Sequence, residues 1–128
     1  MRQLKLVSCL LVMSSSFALA QTNDVELGDA KKRAELAGQL VKMENMVYKF
    51  TPDQAAKTTA LYEASFEREL ALYKKYNFQN LEQINASKEY KLALKGIRDA
   101  LVQKMKAVLT SEQFKQYQAA HNNDDLLK

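Results

Sequence analysis

Apolar side chains return along this chain at helical intervals. In the segment from residue 24 to about residue 50 they fall at Leu36, Leu40, Met43, Val47 and Phe50, in steps of 4, 3, 4 and 3. That spacing makes one stripe on a helix at nearly coiled-coil period. Ala37, Val41 and Tyr48 widen the stripe, while Lys31, Lys32, Arg33, Glu35, Lys42 and Glu44 take the remaining face. Residues 51–76 repeat the pattern through Ala55, Thr59, Tyr62, Phe66, Leu70 and Tyr73. A third stripe, Tyr90, Leu94, Ile97, Leu101, Met105 and Val108, runs through residues 81–109, with a kink expected near Asn85, Ala86 and Ser87. Residues 111–121 make a last helix, and Asn122, Asn123, Asp124 and Asp125 read as a frayed end. No segment sustains the period-two alternation of a strand. The spacing predicts an all-α fold of four helices with short connections.

The breaks between helices carry their own signals. Asn77-Phe78-Gln79-Asn80 reads as a loop, and Asn80 is placed to cap the next helix with Gln83 three residues on. Gly96 lies inside the third helical pattern at a cost of about 1 kcal/mol relative to Ala, and a close helix contact would account for it. Two breaks share one pattern: Phe50-Thr51-Pro52-Asp53-Gln54 and Leu109-Thr110-Ser111-Glu112-Gln113. In each, Thr is the N-cap, accepting from the amide three residues on, and Gln at that third position reaches back to the Thr amide. Pro52 fits the first helical position, where no donor is needed. Asp53 and Glu112 put negative charge at the positive end of the helix dipole. Leu109 can staple onto Phe114, and Phe50 less well onto Ala55. The pattern thus starts a helix and sets a sharp corner.

The first twenty residues read as an address. Arg2 and Lys5 precede an apolar stretch from Leu6 to Met13, and Ala18-Leu19-Ala20 is a small-x-small cleavage site. This is a secretory signal peptide, expected to be cut after Ala20. The apolar run is too short for a membrane span, which needs about 20 residues. Cleavage would remove Cys9 and leave 108 of the 128 residues, with no cysteine. Without Arg2 and Lys5 the 19 basic residues become 17, against 15 acidic ones, so the net charge falls from +4 to +2. A near-neutral exported chain is a poor nucleic-acid binder.

Composition then removes most chemistry. With 3 Gly and 1 Pro the chain lacks the turn-formers of a sandwich, barrel or βαβ fold. With 1 His and 1 Cys it cannot furnish most metal cages or Cys/His catalytic sites. Gly28, Gly38 and Gly96 are scattered, so no phosphate-cradling loop forms, and no Ser/His/Asp set is available. His121 can be paired with Asp124 or Asp125 as a metal site, or read as a helix C-terminal His favoured by the dipole. Glu63, Glu67 and Arg68 lie opposite the apolar stripe as a solvated face. These features argue against catalysis, and no cofactor or metal is expected.

The secretory signal, the helical chain and the two hydrophobic-Thr-x-x-Gln corners together resemble the periplasmic Spy/CpxP family, whose LTxxQ motif occurs twice. Leu109, Thr110 and Gln113 match the motif fully, and Phe50, Thr51 and Gln54 match it with Phe for Leu. The resemblance spans roughly residues 36–120. It implies a Spy-like helical hairpin that dimerises into a thin cradle. It further implies an ATP-independent chaperone holding unfolded or partly folded proteins, with no stable membrane insertion. A regulatory adaptor for one partner, such as a sensor domain, and a metal-responsive relative are the alternatives within the same resemblance. The chain is less basic than the best-known members, and the ligands of the zinc-binding relatives have no counterparts here. Met43, Met46 and Tyr48 are the candidate client or partner surface, since Met is adaptable and Tyr is amphipathic. Met43 and Phe50, on the main stripe, read also as core or dimer interface, whereas Met46 lies off it.

Overall fold

The computed structural model describes residues 30–127. The expected leader with Cys9, the cut after Ala20 and the start of the first helix lie outside the described residues. Within them the chain is all-helical. The order is α1 (Ala30–Tyr48), α2 (Pro52–Tyr76), α3 (Leu81–Ala86), α4 (Lys88–Met105), α5 (Ser111–Ala120) and a final 3-10 helix (Asn123–Leu127).

The helix boundaries follow from local chemistry. Helix α1 stops at Lys49, whose φ of 56° is left-handed, and α2 stops at Asn77, whose φ is 49°. Asn tolerates that conformation better than Lys. Asn80 caps α3, its Oδ1 accepting from the Gln83 amide at 2.9 Å. The expected kink is a full break, so the described residues hold five α-helices where four were expected: Ser87 ends α3 and caps α4, its Oγ accepting from the Tyr90 amide at 3.2 Å. Helix α4 ends at Met105, four residues before the expected end. There the amides of Lys106, Ala107 and Val108 donate three residues back, at 3.2, 3.2 and 3.0 Å, which tightens the last turn.

Helix α2 packs along both α1 and α4. It runs antiparallel to α4, since Glu69 meets Arg98 while the later Tyr76 meets the earlier Tyr90. Helix α5 turns back onto α1 and α4. The core joins Ala37, Val41 and Tyr48 of α1 to Tyr62 and Phe66 of α2, Val102 and Met105 of α4, and Tyr117 of α5. Phe50 and Leu109, the residues before the two capping threonines, are both buried in it.

Three expectations change. The buried face of α1 is Ala37, Val41, Glu44 and Tyr48, turned one residue from the expected stripe. Leu36, Leu40 and Val47 become its half-buried flank, and Met43 is 45% exposed. Glu44, assigned to the polar face, is buried. Gly96 meets no close helix: a Cβ there would find no atom within 4 Å. The tail is docked on α4, with Asn123 buried. Its Nδ2 donates to Asp99 Oδ1 at 3.0 Å, and Lys95 Nζ bridges Asp99 at 2.6 Å and Asp124 at 3.2 Å. Polar partners on α4, which no apolar pattern can reveal, hold this end. The hydrogen bonds from Lys95 to Asp99 and then Asp124 hold its ammonium pKa above the usual value.

Candidate functional site

The two Thr-x-x-Gln corners form as the spacing predicts, and they also meet each other. Thr51 Oγ1 accepts from the Gln54 amide at 3.1 Å, and Gln54 Oε1 accepts from the Thr51 amide at 3.0 Å. The second copy repeats this at 3.2 and 2.9 Å between Thr110 and Gln113. The Gln side-chain amides then pair across the fold. Gln54 Nε2 donates to Gln113 Oε1 at 2.8 Å, and Gln113 Nε2 donates to Gln54 Oε1 at 3.1 Å. Each also reaches a carbonyl ahead of the other corner: Gln54 that of Val108 at 3.2 Å, Gln113 that of Tyr48 at 3.1 Å. The repeat is therefore a clasp that fastens the α1–α2 corner to the α4–α5 corner. Either Gln serves its own cap through Oε1 and the opposite corner through Nε2, which only a side chain with both donor and acceptor can do.

Behind the clasp lies a buried polar cluster absent from the sequence reading. The Tyr62 hydroxyl donates to Glu44 Oε1. Its one hydrogen is then committed, so the Tyr117 hydroxyl donates to the Tyr62 oxygen, at 2.8 Å. His121, the C-cap of α5, stacks on Tyr117 with ring centroids 3.8 Å apart. Its Nδ1 lies 2.8 Å from the Tyr117 carbonyl, which can only accept, so Nδ1 carries the hydrogen. Its Nε2 lies 3.4 Å from Glu44 Oε2, an ion-pair distance when the imidazole is charged. No hydrogen bond reaches that carboxylate oxygen. Two turns further along α2 from Tyr62, Arg98 Nε donates to Glu69 Oε1 at 2.6 Å, with both side chains buried.

Both carboxylates border one cavity of about 50 Å³, with Ser65, Arg98, His121 and Asn123 around it. The Ser65 hydroxyl has no protein partner. Leu40, Phe66, Leu101 and Val102 also line the cavity, and a cavity of this size has room for water beside the polar groups. Burial shapes the phenols. It lifts Tyr62 well above the ordinary tyrosine pKa, with Tyr117 and then Glu44 adding to it. Tyr117 rises likewise, through burial and then Glu44. Tyr90 is pushed up to about 12 by burial and then by Glu69, with Arg98 pulling the other way.

The candidate residues divide cleanly. Phe50, Thr51, Gln54, Leu109, Thr110 and Gln113 come together at the clasp. Met46 is 81% exposed and Met43 is 45% exposed on α1. Tyr48 leaves that surface, since it is 4% exposed and packs on Phe50 and Tyr117. His121 turns toward Glu44, whereas Asp124 turns to Lys95, so the pairing of His121 with Asp124 considered for a metal does not form. Among the described residues no group of three or more His, Cys, Asp or Glu is arranged to hold a metal ion. No helix among them is long and apolar enough to cross a membrane.

No family model, curated protein or solved structure matches the chain. The resemblance to the Spy/CpxP family rests on the expected secretory signal, the helical pattern and the two corners.

Proposed function

We propose that this chain is an ATP-independent periplasmic chaperone, a holdase for unfolded or partly folded proteins in envelope stress. It is exported by a signal peptide cut after Ala20 and works as a homodimeric, thin Spy-like cradle. The observation that carries this reading is the ridge on α1. Met43 and Met46 stand in solvent beside the half-buried Leu36, Leu40 and Val47, outside the core that Ala37, Val41 and Tyr48 fill. An apolar ridge of flexible side chains suits segments of varied sequence. The paired corners support the same reading by fixing α1 against the rest of the fold. The client surface then centres on Met43 and Met46.

An aggregating unfolded client, mixed with the protein in the absence of ATP, tests it. Light scattering should fall at stoichiometric amounts of protein. Unchanged scattering at a stoichiometric excess overturns the reading. A single stoichiometric partner recovered from an envelope extract would instead favour a regulatory adaptor.

A further inference from the structure

The chain holds three methionines within the described residues, and the fold gives them opposite fates. Met105 is 0% exposed in the core, Met43 is 45% exposed and Met46 is 81% exposed. Positions 43 and 46 are three residues apart on α1, so their side chains share one face of the helix. Thioether oxidation follows exposure and turns a flexible apolar side chain into a polar one.

We propose that Met43 and Met46 form a paired oxidation site, modified by hypochlorous acid or a similar two-electron oxygen donor while the fold stays intact. In the step the sulfur lone pair takes the oxygen of hypochlorous acid. The O–Cl bond breaks, chloride leaves and the proton passes to solvent. Sulfur loses two electrons and chlorine gains them, giving methionine sulfoxide. The core is spared because neither side chain fills it. What changes is the α1 ridge, from apolar to polar. A sulfoxide reductase reverses the change, so the ridge has two states that the redox condition selects. The consequence for client holding rests on the chaperone reading, whereas the selectivity of oxidation does not.

The purified protein, treated with limiting hypochlorite and quenched over time, is digested and mapped by mass. Met46 should gain oxygen first and Met43 second. Met105 should be at least about tenfold slower, since it reacts only through opening of the core. Helical circular dichroism should be unchanged once Met43 and Met46 are fully oxidised. Met105 keeping pace with the pair, or loss of helical signal as the pair is oxidised, overturns the proposal. In the M43L/M46L double variant Met105 should still be oxidised at its slow rate, and rapid uptake of oxygen at Met105 would also overturn the proposal. Client holding should fall as Met46 oxidises and return after reductase treatment. Absence of holding before any oxidation would defeat the chaperone reading and leave the oxidation map standing.

Discussion

Two carboxylates are buried side by side in this molecule, and they are satisfied differently. Glu69 meets a permanent cation, Arg98, at 2.6 Å. Glu44 meets a phenol at one oxygen and, at 3.4 Å from the other, an imidazole. A buried charge without compensation costs several kcal/mol, so partners decide whether such a residue is tolerable. The Glu69 site is a direct ion pair joining α2 to α4. The Glu44 site is a chain through α1, α2 and α5, with one carboxylate oxygen left open toward a cavity. Removing a partner should therefore damage the first site more than the second.

Alkaline titration gives the largest effect, because it strikes both sites. Tyr62, Tyr90 and Tyr117 all have folded pKa values raised above the unfolded value of 10.0. Above that value the unfolded chain releases protons that the folded chain keeps, so stability is full below pH 10 and falls as pH rises. For Tyr90 the loss runs from 10.0 to about 12. Tyrosine absorbance followed with circular dichroism should show these phenols ionising together with unfolding. Smooth ionisation ahead of unfolding would break the assignment.

Next in size is the Glu69–Arg98 pair. Glu69→Gln should destabilise by about 3–5 kcal/mol in denaturant unfolding, because it leaves the Arg98 guanidinium buried without its carboxylate. The double change Glu69→Leu with Arg98→Met should recover most of that. The clasp follows. Gln54→Ala and Gln113→Ala should each cost about 1–2 kcal/mol, through a lost cap and a lost cross-link. Their double-mutant cycle should show a coupling of about 0.5–3 kcal/mol, where two independent caps would show none.

The smallest effect belongs to the open site. Glu44→Gln keeps an acceptor for Tyr62 and removes a buried charge, so it should shift stability by less than about 1 kcal/mol in either direction. A cost as large as that of Glu69→Gln would erase the contrast between the sites. Gly96→Ala, on the exposed side of α4, serves as a control. It should add about 1 kcal/mol without touching either carboxylate.

Much of this architecture is legible in the sequence. Periodicity gives the helices, Ser87 sits at the expected break, and the two Thr-x-x-Gln corners cap as their spacing requires. Helix faces are harder to read. The apolar set Leu36, Leu40, Met43 and Val47 is more uniform than Ala37, Val41, Glu44 and Tyr48, yet the second set is buried. Apolarity alone cannot fix helix rotation when α1 carries two adjacent stripes, and Glu44 looks like a surface residue until Tyr62 and His121 are placed beside it. The docked tail is hidden for the same reason, since Asn123 finds Asp99 twenty-four residues back along the chain.

The sequence by itself determined which main segments are helical, where the helices after Thr51, Asn80 and Thr110 start, and that two corners carry the same capping chemistry. These are local matters, settled by hydrogen bonds between residues three or four apart. Only the tertiary structure decided that the two corners hold each other, that Glu44, Glu69, Arg98 and His121 lie inside, and that Met43 and Met46 lie outside. Such outcomes depend on residues far apart along the chain, 29 positions for Glu69 and Arg98 and 59 for Gln54 and Gln113. Packing chooses among helix faces by the sum of every contact, and no window along the chain contains that sum.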